Sequence, residues 1–128
     1  MKSTVHSRSS QDAPSKDVMN VNDALRRLGD DDELLRDIVQ IYLEDAPGII
    51  ERIHNAAAQG DTNALQRAAH SLKGLGATLS ASEVVGAAAR LEHMAASKSL
   101  SDAAKAVAEV DRHVSDLNAA VQQLLRRK

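Results

Sequence analysis

The sequence predicts an all-α protein, an antiparallel up-down-up-down four-helix bundle with a short additional N-terminal helix. In four long segments the apolar residues recur three and four residues apart, which is the spacing of a buried helix face. No segment shows the alternation of apolar and polar residues that would indicate a strand. Polar connections separate the four segments, and helices joined in this way pack as antiparallel neighbours.

The composition is that of a globular domain and argues against several classes of function. The chain has 128 residues, 43% of them hydrophobic and 27% charged, which suits one domain with a single core. One aromatic residue and a net charge of −2 argue against stacking on bases and against a general attraction to nucleic acid. The absence of cysteine and of an apolar run that could span a bilayer leads us to expect a cytoplasmic protein that binds no membrane.

The N-terminal part divides into a tail and a short helix. Residues 1–17 are rich in serine and have no apolar periodicity, so we predict a disordered tail before a bundle domain at residues 18–128. A short apolar stripe over residues 21–28 predicts a packing helix. Gly29 is expected to end it, because glycine is the usual residue just past a helix end.

The first long helix is predicted to begin in the acidic run after Gly29. Asp30 and Glu33 have the spacing of a capping box, which explains the run better than an acidic metal site does. An apolar stripe continues across Pro47 without a change of phase, so we predict one kinked helix or two helices end to end. The stripe consists of Leu35, Ile38, Tyr42, Ala46, Ile49, Ile53 and Ala56.

The segment at residues 61–79 provides the main evidence for a function. Gly60 and Asp61 are predicted to end the preceding helix and to cap this one. Its inward stripe is Leu65, Ala68, Ala69, Leu72, Leu75, Gly76 and Leu79. His70 is not on that stripe, so its imidazole is predicted to project from the polar side of the helix.

Two glycines lie inside this predicted helix, where each costs about 1 kcal/mol relative to alanine. Gly76 is on the inner stripe, and the close approach of a neighbouring helix would explain it. Gly74 is on the outer face, one turn after His70. We expect it to leave clearance for a partner that must reach the imidazole.

Two further helices complete the predicted bundle. Ser80 and Glu83 have capping-box spacing for the first of them, in which Gly86 is expected to permit close helix contact. A polar connection at residues 97–102 precedes the second, and the basic residues 126–128 suit its C-terminus better than a nucleic-acid patch. The inward stripes are Ala81, Val84, Ala88, Leu91 and Ala95, and then Ala103, Val107, Val110, Val114, Leu117, Val121 and Leu124.

The segment AHSLKG, which contains His70, carries a resemblance to a known family. It is similar to A-H-x-L-K-G, the approximate signature around the phosphorylated histidine of histidine-containing phosphotransfer (HPt) domains. The matching residues are Ala69, His70, Leu72, Lys73 and Gly74. The similarity extends over residues 21–96, through the segments ALRRLGDDDELL, YLEDAP, AAAQGD and RLE. Thr78 and Ser80 stand where the family more often has Asn and Gly.

The resemblance implies a phosphoryl carrier without kinase activity of its own. His70 would accept a phosphoryl group, on the ring nitrogen remote from the backbone, from the aspartate of one response-regulator receiver domain and pass it to another. Lys73 would orient the phosphoryl group, and Gly74 would admit the partner's active site. The predicted partner-binding residues are the other helical neighbours of His70, namely Gln66, Arg67 and Ala77.

The residues around His70 suit a nucleophile, but the chain lacks the other parts of a kinase. An imidazole is largely neutral near pH 7 and offers a lone pair to phosphorus. Arg67 and Lys73 are expected to disfavour the protonated ring and to attract phosphoryl oxygens. The chain has no Gly-rich phosphate loop, so we expect no cofactor and no metal site, and any Mg²⁺ would belong to the receiver. A hybrid sensor histidine kinase is a second candidate partner, and we expect a monomer.

Two other functions stay open at this point. The first is a helical-bundle adaptor that binds a signalling partner and never carries phosphate. The second is the dimerisation domain of a histidine kinase, which usually has an acidic residue directly after its histidine, where this chain has Ser71. His54, His93 and His113 are interpreted as ordinary exposed helix histidines.

Overall fold

The computed structural model describes residues 18–126, which contain five α-helices and no strand. The helices are α1 (Val21–Arg27), α2 (Asp32–Gln59), α3 (Thr62–Thr78), α4 (Ser82–Ala96) and α5 (Ala103–Arg126). The predicted helical-bundle fold is confirmed. The predicted tail at residues 1–17 and the last two basic residues lie outside the described part of the chain. None of the described helices is long and apolar enough to cross a membrane.

Contacts between α2 and α5 show that the bundle closes with antiparallel helices. His54 near the end of α2 lies 2.9 Å from Asp111, in the first half of α5. Arg36 near the start of α2 donates to the carbonyl oxygen of Leu125, near the end of α5, at 3.2 Å. The end of α2 therefore lies beside the first half of α5, and the start of α2 lies beside the end of α5, so the two helices are antiparallel. The connections between α2, α3, α4 and α5 are short. Consecutive helices joined in this way pack side by side as antiparallel neighbours.

The helix that contains Pro47 is continuous, so the two-helix alternative is wrong. Its buried face follows the predicted stripe, except that Val39 is fully buried where Ile38 is only partly so. Tyr42 is completely buried, and its hydroxyl donates to Asn118 Oδ1 on α5 at 2.8 Å. Burial raises the pKa of the Tyr42 hydroxyl. This bond satisfies a polar atom that would otherwise be costly in the core.

The ends of α2 differ in how well the sequence predicted them. Gly60 ends the helix with a φ of +68°, and the Asp61 side chain caps α3 by accepting from the backbone N–H of Ala64, both as predicted. The start is shifted by one residue, because Asp31, not Asp30, accepts from the N–H of Leu34 and so caps α2.

The turn between α3 and α4 contradicts the second predicted capping box. Ser80 has a φ of +52° and does not cap α4, whose N-cap is Ala81 without a side-chain bond. The Ser80 hydroxyl donates to Asp23 Oδ2 at 2.6 Å and accepts from Arg27 Nη1 at 2.8 Å, so it ties α1 to this turn. The hydrogen bond from Ser80 is the largest cause of a lowered pKa at Asp23. A left-handed backbone favours glycine, which agrees with the family's preference at this position.

The glycines inside the helices fall into two groups. A Cβ on Gly76 would lie 3.0 Å from Val84 Cγ1 and 3.2 Å from Val85 Cγ2. The predicted close approach of a neighbouring helix is therefore confirmed there. The same prediction is wrong for Gly86, where a Cβ would meet only the end of the Arg90 side chain, at 3.5 Å.

Every predicted stripe residue of α4 and α5 is buried.

Candidate functional site

His70 projects from the solvent-exposed side of α3, away from the face that packs in the core. Its side chain is 68% exposed, whereas Ala69 and Leu72 beside it are fully buried. Gly74, one turn further on, is exposed, and a Cβ placed there would have no heavy atom within 4 Å. The surface next to the imidazole is therefore open in the direction of Gly74.

Glu92 of α4 contacts both His70 and Lys73. One carboxylate oxygen lies 2.8 Å from His70 Nδ1, and the other lies 2.6 Å from Lys73 Nζ. The hydrogen bond from Lys73 is the largest cause of a lowered pKa at Glu92; the bond from His70 adds to it, and desolvation opposes it. Glu92 is therefore an ionised carboxylate at neutral pH.

The charge of Glu92 fixes which nitrogen of His70 carries the proton. An ionised carboxylate can only accept hydrogen bonds, so Nδ1 must be the donor. In the neutral ring this leaves Nε2 without a proton and with its lone pair available. Nε2 has no hydrogen-bond partner within residues 18–126. The free nitrogen is thus the one remote from the backbone, on the exposed tip of the side chain.

Sequence reasoning missed Glu92, although a signal for it was present. The residue belongs to the RLE segment that contributes to the family resemblance, and it follows the buried stripe residue Leu91. Its contact with His70 spans 22 residues of sequence and two helices. Helical periodicity places Glu92 at the edge of the inward face of α4, but it does not say which residue of α3 lies opposite.

The other predicted residues lie around His70 with different degrees of exposure. Lys73 is 34% exposed, and its charge is compensated by Glu92, so it is not a free cation. Arg67 is exposed and forms no ion pair with any described residue. Gln66 is partly exposed. Ala77 is exposed, and its carbonyl oxygen accepts from an arginine of α1 at 3.0 Å.

A groove between α2 and α3 runs past His70. It has a volume of about 670 Å³, and its α3 wall includes His70, Ser71 and Gly74. Its α2 wall includes Gly48 and Arg52. The imidazole can therefore be reached from this groove as well as from bulk solvent. Within the described residues, no group of three His, Asp or Glu side chains is arranged to hold a metal ion.

Comparisons with known proteins agree with the helical-bundle fold and with the family that the sequence predicts. A sequence model of the Hpt domain matches residues 37–126, which is most of the chain. A similar solved structure is the HPT domain from the Hpt sensor hybrid histidine kinase from Shewanella. It has a TM-score of 0.79 and 18% sequence identity, and the match covers 88% of this chain and 97% of that one. A search of curated proteins found no match.

The chain belongs to the Hpt domain family. Hpt domains take part in histidine phosphotransfer in the phosphorelays of two-component signalling. They are phosphotransfer carriers and not kinases, and they interact with receiver domains and histidine kinases. The family predicted from the AHSLKG segment is therefore confirmed.

Proposed function

We propose that His70 is the phosphoryl-accepting residue of a relay between the aspartates of response-regulator receiver domains. The observation that carries this proposal is the hydrogen bond of 2.8 Å from His70 Nδ1 to Glu92. It orients the ring and leaves the exposed Nε2 as the nucleophile. The match to the Hpt family favours this function over a phosphate-free adaptor and over a kinase dimerisation domain.

The transfer step uses the lone pair of Nε2. It attacks the phosphorus of the receiver's phosphoaspartate, the N–P bond forms, and the aspartate carboxylate leaves with the electrons of the P–O bond. The ring then carries positive charge, shared with Nδ1–H, and the Glu92 carboxylate stabilises that charge as an orienting carboxylate does for other catalytic histidines. In the next step the carboxylate of a second receiver attacks phosphorus, and the N–P bond breaks.

The neighbours of His70 receive supporting roles in this proposal. Glu92 anchors Lys73 one helical turn from the imidazole, where an ammonium group can contact a phosphoryl oxygen. Gly74 leaves the helix surface without a side chain where the partner's active site must enter. Gln66, Arg67 and Ala77 surround this position and would contact the partner. Any Mg²⁺ would be held by the receiver.

The test is to expose the protein to phosphorylated receivers. A panel of receiver domains from the source organism is phosphorylated with acetyl phosphate, freed of it and mixed with the protein. Potassium phosphoramidate, which donates a phosphoryl group without a partner, is used in parallel. We expect acid-labile phosphate on the protein in both experiments and none with ATP and Mg²⁺ alone. A folded protein that neither donor labels would show that His70 is not a carrier.

A further inference from the structure

Arg52 of α2 is a cation on the wall of the groove opposite His70. It lines the groove of about 670 Å³ together with His70 and Gly74. It also lines an adjoining cavity of about 250 Å³ together with Arg67 and Ser71. The residue is exposed and makes no hydrogen bond or ion pair with any described residue. Its charge is therefore available to a ligand that enters beside the imidazole.

The guanidinium of Arg52 lies over Gly48. Arg52 Nη1 lies 3.7 Å from the place where a Cβ on Gly48 would be, so the side chain folds back along α2 over that glycine. Gly48 lines the same groove as His70 and Gly74. The α2 wall and the α3 wall of the groove thus each include a glycine, and the guanidinium lies over the glycine of α2.

The charges along the groove favour an anion near Arg52. Glu44 and Asp45 line the end of the groove where Thr78 lies, and their carboxylates would repel a phosphoryl group there. Lys73 is on the other side of His70 and is already paired with Glu92. Arg52 is consequently the unpaired cation of the groove, and guanidinium groups match phosphoryl oxygens in a bidentate geometry.

We propose that Arg52 binds the phosphoryl oxygens on His70, both in the phosphorylated protein and during transfer. This inference rests on the proposed role of His70 as the carrier. Lys73 would contact the phosphoryl group from the α4 side and Arg52 from the α2 side. Because Glu92 already compensates the charge of Lys73, Arg52 would supply the positive charge that offsets the phosphoryl group.

The first measurement needs no partner protein. Potassium phosphoramidate phosphorylates the protein, because the P–N bond to the leaving ammonia breaks as the bond to His70 Nε2 forms. A ³¹P NMR titration then gives the pKa of the phosphoryl group. A cation in contact with the dianion lowers this pKa, so we expect Arg52→Ala to raise it by about half a unit. We expect Arg52→Lys to give a smaller change, because it retains the charge.

The second measurement is the rate of transfer from a phosphorylated receiver domain. We expect Arg52→Ala to slow transfer roughly tenfold, as the loss of a charged hydrogen bond would, and Arg52→Lys to recover part of the rate. The matched control is Arg112→Ala, which removes an exposed arginine from α5 and should change neither the rate nor the titration. Circular dichroism checks that each variant is folded.

The outcomes separate this inference from the proposed function. If neither donor labels the wild-type protein, both proposals are wrong. If the wild type is labelled and Arg52→Ala has the same phosphoryl pKa and the same rate, only the role of Arg52 is wrong. A slower rate with an unchanged phosphoryl pKa would also overturn it, because Arg52 would then contact the receiver and not the phosphoryl group.

Discussion

His70 and His54 are two exposed helix histidines, each of which contacts a carboxylate on a neighbouring helix. The distance is 2.8 Å from His70 to Glu92 and 2.9 Å from His54 to Asp111. The nitrogen that makes the contact differs. His70 uses Nδ1, next to the backbone, whereas His54 uses Nε2, at the tip of the ring.

This difference shows that exposure alone does not make a histidine available for chemistry. The tip of the His54 ring is occupied by the contact that joins α2 to α5, and its other nitrogen is close to its own helix. The tip of the His70 ring is free. Glu92 is also 19% exposed and held by Lys73, whereas the Asp111 side chain is 40% exposed and has no lysine or arginine partner within the described residues. Both pairs connect two helices, but only the pair of His70 and Glu92 leaves the tip of the ring free for the proposed role as nucleophile.

Replacing each histidine by glutamine is the strongest test of this comparison. We expect His70→Gln to keep the fold and to lose all labelling from a phosphorylated receiver, because it removes the proposed nucleophile. His54→Gln should be labelled at the wild-type level. The measurement is acid-labile phosphate on both variants. Labelling of the His70→Gln variant would mean that the carrier is another residue.

Closing the open surface beside His70 should have the next largest effect. Gly74→Gln introduces a long side chain one turn from the imidazole, in the space that the receiver must enter. We expect transfer to fall roughly a hundredfold, since misplacing reacting groups by an ångström can cost that much. Thermal unfolding should show no loss of stability. Undiminished transfer on a stable protein would show that Gly74 does not serve partner access.

Gly76→Ala is the matched change on the buried side of the same helix. Its added methyl group would lie 3.0 Å from Val84, and overpacking of this kind outweighs the gain in helix propensity. We expect the free energy of unfolding to fall by about 1 kcal/mol, whereas Gly74→Ala should raise it by up to about 1 kcal/mol. Equal effects of the two alanines on unfolding would contradict the placement of one glycine inside the bundle and the other outside.

The carboxylates of Glu92 and Asp111 can be compared by replacing each residue with its amide. Glu92→Gln can still accept the hydrogen bond from His70 but cannot stabilise the charge that forms on the ring. We expect transfer to slow about tenfold, and Asp111→Asn to leave the rate unchanged. A ¹⁵N NMR spectrum of the wild-type imidazole should show the proton of His70 on Nδ1. A proton on Nε2 would remove the basis for the proposed role of Glu92.

Acid should weaken the contacts of Glu92, and we expect this to be the smallest effect of the five tests. Its pKa is lowered below the ordinary value of 4.5 in the folded protein, so the unfolded state binds more protons at low pH. The stabilisation is therefore present above pH 4.5 and is lost as the pH falls through the lowered pKa. We expect the stability difference between wild type and Glu92→Gln to shrink below pH 4.5 in thermal unfolding. A difference that grows in acid would contradict the sign of this pKa shift.

The sequence by itself determined the helices, their buried faces and the position of His70 outside the buried stripe. It could do so because helical periodicity is local, so each apolar stripe identifies its own inward face. The positions of Gly60 and Gly76 were predictable for the same reason, since one ends a helix and the other lies on a buried stripe. The AHSLKG segment added the family, and with it the expected chemistry of the histidine.

Only the tertiary structure decided what faces His70. The rotation and register of two helices follow from how their side chains pack, as where Val84 lies against Gly76, and no local pattern specifies them. Packing brings Glu92 to Nδ1 across α4 and places Arg52 across the groove on α2. It also holds Ser80 in a left-handed turn against α1, where the spacing alone predicted a helix cap. Local spacing identified which residues are exposed, and packing between helices determined which nitrogen of His70 is free.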